Sequence, residues 1–221
     1  MNNINVLIGG DLKLLPDNLE KFPGEWVGVD YGSFYLSQRD DLEKLFALGD
    51  FDSVDKIKLS QIEAAFSEVI KLNPIKDDTD TEAALQVVFK KYPDAHIRVF
   101  GATGGRIDHL LSNLFLVLQK RFNPFVGQIE FIDCQNVVKF FAPGFYELDR
   151  ITSFKYLSFI TLSDVSGLTL INEKYKLKNY KNNGVRAFVS NEFLDDKAKF
   201  EFSEGIVAVI YSKDKQKKVG F

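Results

Sequence analysis

The hydrophobic periodicity of this chain changes once, near Phe125. Before that point, short apolar runs at Ile4–Ile8, Trp26–Asp30, Leu45–Leu48 and Ile97–Phe100 alternate with stretches of helical character. After it, nearly every run has the two-residue period of a half-buried strand. One repeating architecture cannot satisfy both patterns. Strands alternating with helices call for a mostly parallel sheet, whereas closely spaced strands separated by Gly, Asn and Pro turns call for a sandwich or jelly roll. The expected fold is therefore an α/β domain over residues 1–125 with a mostly parallel sheet, followed by an all-β, jelly-roll-like sandwich over residues 126–221. A length of 221 residues accommodates two such domains.

Helices are expected over Leu59–Lys71, Thr81–Tyr92 and Asp108–Arg121. Ser60–Glu63 and Thr79–Glu82 both read as capping boxes, in which a hydroxyl accepts from an orphan N–H and a Glu reaches back to the cap. In the second part, strands are expected over Gln128–Ile132, Val137–Phe141, Phe145–Leu148, Tyr156–Thr161, Gly167–Ile171, Arg186–Ser190, Lys199–Phe202 and Ile206–Tyr211. Pro143-Gly144, Asn182-Asn183-Gly184 and Glu204-Gly205 supply turns between them. The lysine-rich run 213–218 reads as a solvated end.

Charge and cysteine content remove several classes of function. Lys plus Arg is 28 and Asp plus Glu is 31, which argues against a general nucleic-acid coat. The charge is uneven: 14 basic and 19 acidic residues up to Phe125, then 14 and 12. The single Cys134 allows no intrachain disulfide, and with only two histidines a structural zinc site is not expected. The first residues lack a basic, apolar leader, and no apolar run is long enough to span a bilayer. The expectation is a reduced, cytoplasmic protein with no membrane or nucleic-acid partner.

Chemistry gathers just past the strands of the first part, where open α/β sheets bind ligands. Gly9-Gly10-Asp11, Asp30, Gly49-Asp50-Phe51-Asp52-Ser53 and Gly101-Ala102-Thr103-Gly104-Gly105-Arg106 each follow one. Asp50 and Asp52 would repel if buried together, and Mg²⁺ with its preference for hard oxygen ligands resolves that; the same residues also make good turn chemistry. The run Lys76-Asp77-Asp78-Thr79-Asp80-Thr81-Glu82 adds acids, yet acids also suit a helix start. The glycine loop lets backbone N–H groups approach phosphate, and Arg106 offers a fork to its oxygens, although neither P-loop nor dinucleotide spacing is present. Asp108 reads as a helix N-cap and His109 as structural. Together these features describe an acidic metal cluster facing a phosphate loop, as in a Mg-nucleotide phosphotransferase or hydrolase.

In order along the chain, Val29-Asp30-Tyr31-Gly32, Gly49–Ser53, Asp77–Glu82, Gly101–His109, Lys155–Ser158, Gly167–Leu170, Lys174–Leu177 and Ser190–Phe193 resemble the thiamine pyrophosphokinase family. The resemblance runs from about Val6 to Asp214 and departs at Tyr31 and Ser33. It implies transfer of the pyrophosphoryl group of ATP to the hydroxyl of thiamine, giving thiamine diphosphate and AMP, in a homodimer with active sites at the subunit interface. It implies Mg²⁺ on Asp50, Asp52 and Asp80, with Arg106 and Asp108 beside them in catalysis. Gly49, Lys76, Thr79, Gly101, Ala102, Thr103, Gly104, Gly105 and Arg106 fall on the ATP side. Asp30, Ser190, Asn191 and Phe193 fall on the thiamine side, and Cys134 reads as packing. A non-catalytic thiamine or nucleotide sensor and a Mg-dependent nucleotide hydrolase are the alternatives.

Overall fold

A computed structural model describes residues 2–52, 54–73 and 77–214. The chain divides into two compact units, Met1–Leu116 with Gln128–Cys134, and Val117–Gly127 with Gln135–Phe221.

The first unit is built on six parallel strands: β1 (Asn3–Leu7), β2 (Glu25–Val29), β3 (Lys44–Gly49), β4 (Val69–Lys71), β5 (His96–Phe100) and β6 (Ile129–Ile132). Their order is β6-β5-β1-β2-β3-β4. The chain steps outward from β1 to β4 and then returns to lay β5 on the other side of β1. That reversal is a topological switch point, and in such sheets ligands bind beyond the strand ends there. The central strands are largely apolar, as expected of strands covered on both faces: Val6, Leu7, Val27, Ala47, Leu48, Ile97 and Val99 are all fully buried, with Asn5 among them. Trp26 and Phe22 both pack on Phe100, each with ring centroids 5.0 Å apart.

Helices α1 (Tyr31–Ser37), α2 (Lys56–Ala65), α3 (Asp80–Lys91) and α4 (Ile107–Phe115) complete the unit. The Thr79–Glu82 capping box forms as expected: Glu82 N donates to Thr79 Oγ1 at 3.2 Å and Thr79 N to Glu82 Oε2 at 2.8 Å. Lys90 and Lys91 end α3, complementing its dipole. Ala84, Leu85, Val88 and Phe89 form its buried stripe.

Several boundaries differ from expectation. The helix expected over Leu59–Lys71 runs from Lys56 to Ala65, and its last three expected residues form the edge strand β4. Ser60–Glu63 is not its cap. Asp55 caps it instead, accepting from Ile57 N at 3.0 Å and Lys58 N at 2.9 Å. Ser60 lies inside the helix, where its hydroxyl donates to the Lys56 carbonyl. Asp108 is not an N-cap either: α4 begins after Arg106, ends at Phe115 and passes into a 3₁₀ turn over Leu116–Leu118, well short of Arg121. Helix α1 was not expected, because Tyr31-Gly32-Ser33 lacks good helix formers. The strand expected to open the antiparallel part is β6, which pairs parallel with β5 and belongs to the first sheet.

The second unit is antiparallel β, as its two-residue period requires. Its strands are β7 (Asn136–Phe141), β8 (Gly144–Asp149), β9 (Tyr156–Thr161), β10 (Val165–Leu170), β11 (Leu177–Asn182), β12 (Arg186–Glu192), β13 (Lys197–Phe202) and β14 (Val207–Ser212). They form the series β12-β9-β14-β7 and β11-β10-β13-β8. Strand β11, with the sequence LKNYKN, is too polar to announce itself by apolar alternation. The two series meet through aromatic rings. Phe200 of β13 packs against Phe159 of β9 and Phe141 of β7, both with centroids 5.2 Å apart, and stacks on Tyr146 of β8 at 5.3 Å. These T-shaped and stacked pairs fill the sandwich core.

Phe200 is fully buried at the centre of this cluster. Phe200→Ala is expected to lower the unfolding free energy by ~3–5 kcal/mol, measured by urea denaturation followed by circular dichroism. A loss below ~1 kcal/mol would show that the rings do not organise the second core.

Candidate active site

The C-terminal ends of the parallel strands hold most of the residues expected to do chemistry in the first unit. At the end of β2, Asp30 adopts φ +47°, ψ −119°, a costly conformation for a residue with a side chain. The local bonding holds it there: Asp30 N donates to Leu48 O at 2.9 Å, and Ser33 N donates to Asp30 O at 3.0 Å. The turn aims its carboxyl at the end of β3, where Oδ1 accepts from Phe51 N at 3.3 Å. Only glycine fits beneath it, because a Cβ on Gly49 would lie 1.9 Å from Asp30 Oδ1.

The carboxyl of Asp30 is hydrogen-bonded to that of Asp80 at the start of α3, with Asp50 close enough to repel it. Burial, then Asp80, then the charge of Asp50 push the pKa of Asp30 up to about 7, against the opposing Phe51 N–H. The structure thus brings Asp30, Asp50 and Asp80 into one neighbourhood. Asp52 stands at its rim: its N–H donates to Asp50 Oδ1 at 3.0 Å while its side chain is exposed. Among the described residues, no three Asp, Glu, His or Cys side chains already converge at metal-ligand spacing. The donor set nevertheless suits a hard divalent cation, since all its groups are carboxylate oxygens whose mutual repulsion such an ion relieves.

The glycine loop follows β5. Gly104 and Gly105 have φ +77° and +63°, a consecutive left-handed pair that glycine adopts without strain. Ala102 O accepts from Asn113 Nδ2 of α4 at 3.1 Å, and Thr103 Oγ1 donates to Asp133 Oδ2 at 2.5 Å. Arg106 and Asp108 form a forked pair, with Nη2 to Oδ2 at 2.5 Å and Nε to Oδ1 at 3.1 Å. Both side chains are well exposed, at 75% and 63%. The guanidinium holds the Asp108 carboxyl below the usual range. His109 is exposed beside them. The hydroxyl of Thr79 is engaged in the cap of α3, and Lys76 and Ser53 lie outside the described residues.

In the second unit the three residues expected to meet thiamine sit differently from one another. Ser190 is exposed, with φ +58°, at the bulge where β12 shifts register against β9, and its N–H donates to Ser158 Oγ at 3.1 Å. Asn191 is 2% exposed and spends its amide on the chain itself. Its Oδ1 accepts from Tyr175 N and its Nδ2 donates to Tyr175 O, both at 2.8 Å. Phe193 is buried against Tyr211. Asn191 therefore shapes this region by clamping Tyr175, beside the Lys174–Glu192 ion pair at 2.7 Å. Next to the clamp, Glu173 is fully buried with neither carboxyl oxygen hydrogen-bonded at normal geometry. Burial pushes its pKa up to about 7, tempered by nearby peptide groups.

Asp133, Asn113 and Glu173 were not expected to matter. Asp133 had a signal, since it directly follows a strand, but that strand was read as antiparallel. Nothing in the sequence marks Asn113 or Glu173.

A family model described as thiamin pyrophosphokinase, catalytic domain, matches residues 20–126, and one described as thiamin pyrophosphokinase, vitamin B1 binding domain, matches residues 146–207. A thiamine pyrophosphokinase of Bacillus subtilis is 37% identical over 219 residues, covering 97% of this chain and all of that protein. The crystal structure of a thiamin pyrophosphokinase family protein from Enterococcus faecalis superposes with a TM-score of 0.92 at 37% identity, covering 97% of this chain and 100% of the other. The Candida albicans thiamin pyrophosphokinase, with a TM-score of 0.74 at 19% identity over 96% of this chain and 90% of its own, shares the fold.

The raised pKa of Glu173 sets a sign for stability against pH. Its folded value of about 7 lies above its ordinary 4.5, so its contribution is fully present below pH 4.5 and is lost as pH rises through 7. Glu173→Gln should therefore match wild type in urea denaturation near pH 4 and exceed it above pH 8. An equal difference at both pH values would contradict this.

Proposed function

Since the chain belongs to the thiamin pyrophosphokinase family, we propose that it moves the pyrophosphoryl group of ATP onto the hydroxyl of thiamine, releasing AMP and thiamine diphosphate. A bond forms between the thiamine oxygen and the β-phosphorus, the bridge between the α- and β-phosphates breaks, and the hydroxyl proton leaves to a base. The observation that carries this reading is the gathering of Asp30, Asp50 and Asp80 beyond the same sheet edge as the Gly101–Arg106 loop.

Asp30, Asp50 and Asp80 would hold a magnesium ion, with Asp52 at the rim; when bound, such an ion neutralises charge on the phosphate oxygens during transfer. The chain's own groups do the rest. The loop N–H groups hold the phosphates at the switch point between β1 and β5. Arg106 exchanges its fork from Asp108 to phosphate oxygens, which its exposure permits and its pairing geometry suits. Most of the acceleration then comes from holding the attacking oxygen, β-phosphorus and leaving oxygen in line. The acidic cluster also favours the approach of cationic thiamine.

The region around Ser190 supports thiamine binding, with Asn191 and Phe193 shaping it from within. A homodimer that completes the site between copies is supported by an exposed apolar row on α4, where Ile107, Leu111 and Phe115 are 71%, 42% and 42% exposed one turn apart. No helix among the described residues is long and apolar enough to cross a membrane, and a chain with one cysteine, which can form no intrachain disulfide, suits a reducing cytoplasm.

Protein mixed with Mg-ATP and thiamine should give AMP and thiamine diphosphate in equal amounts. ADP with thiamine monophosphate would overturn the reading, and so would ATP hydrolysis indifferent to thiamine or tight binding without turnover. Asp80→Asn should lower kcat by ~10²-fold or more while the circular dichroism spectrum is kept. Near-normal turnover would remove Asp80 from the site.

A further inference from the structure

The loop over Gly101–Arg106 is held at its second and third residues by two buried side chains from different elements. Asn113, 5% exposed on α4, donates to Ala102 O. Asp133, 3% exposed at the end of β6, accepts from Thr103 Oγ1. Asp133 is itself pinned. It continues a strand paired with β5, and the next peptide N–H, that of Cys134, donates to Leu14 O at 2.7 Å in the segment after β1. The anchor therefore joins β6 and the β1 and β5 loops that flank the switch point.

We infer that Asp133 is a positioning residue for the nucleotide. It fixes the phosphate loop through Thr103 and does not touch the phosphates. The chemistry of the pair requires this division. A carboxylate facing a triphosphate would repel it, and Asp133 is turned instead onto a hydroxyl that shields it. The Thr103 proton is committed to Asp133, so this hydroxyl has no donor left for a phosphate oxygen. The two side chains together set where the following Gly104 and Gly105 N–H groups stand. An anion site made of peptide donors is only as good as the backbone that fixes their direction.

The inference rests on the ATP reading above, and one set of measurements separates the two. Thr103→Val replaces only the hydroxyl of a half-buried loop residue by a methyl group, and circular dichroism shows for each variant, Asp133→Asn included, whether the fold is kept. Each single variant should raise KM for ATP about ten-fold, with KM for thiamine within about two-fold of wild type, as expected for loss of a hydrogen bond to a charged group. The dissociation constant of α,β-methylene-ATP, measured by calorimetry, should move with KM for ATP. In the double variant the increase should be no larger than in Thr103→Val alone, because Asp133 acts through Thr103. A variant that loses melting temperature but keeps KM for ATP within about two-fold would show a purely structural pair and overturn the inference. Multiplying effects in the double variant would overturn it too, by showing that Asp133 acts independently. If wild type makes no AMP from ATP and thiamine, the ATP reading itself fails, whatever the variants do.

Discussion

The Asp30 and Asp80 carboxyls share a hydrogen bond, with Asp50 near enough to repel Asp30, and the rest of the first unit is arranged to hold them there. Carboxyls this close repel once both are ionised, and they drift apart unless the backbone prevents it. Three separately determined devices prevent it here. Strand β2 ends in a left-handed Asp30 that turns its side chain toward β3. Gly49 leaves the space that any Cβ would fill. The Thr79–Glu82 box fixes the first turn of α3 and with it Asp80. The strained Asp30 backbone costs free energy that the surrounding bonding must offset, whereas the capping box stabilises the helix it opens.

The loop after β5 follows the same logic. A glycine loop gives approach and direction but little rigidity of its own. Rigidity comes from buried side chains that the neighbouring strand and helix supply, Asp133 and Asn113. In the second unit, Asn191 does for the Tyr175 segment what Asp133 does for Thr103, holding backbone in place from a buried position. In both units, buried polar side chains hold the backbone of these segments in place.

That burial explains what could be read from sequence. The division of the chain into parallel α/β and antiparallel β patterns was legible because periodicity reports burial directly. The carboxylates and the glycine loop were legible because they stand out by type at strand ends. Boundaries set by competing local signals were not. Ser60–Glu63 has the spacing of a capping box, yet Asp55 supplies the cap five residues earlier. Strand β6 has the alternation of its antiparallel neighbours, and only its pairing with β5 reveals its direction. Misplacing that strand hid Asp133. Asn191, grouped with direct contacts, also clamps Tyr175 through its amide, and hydrogen-bond partners cannot be seen in a motif.

The central claim is that the crowded carboxyls beyond β2, β3 and the start of α3 are a cation site facing the loop after β5. A crystal structure with Mn²⁺ and α,β-methylene-ATP, which cannot be cleaved at the bridge the reaction breaks, tests it directly through the metal's anomalous signal. The account predicts a cation bound by oxygens of Asp30, Asp50 and Asp80, with the phosphates lying on Gly101–Arg106. A cation bound away from these three carboxylates, or a nucleotide whose phosphates leave the loop empty, would contradict it.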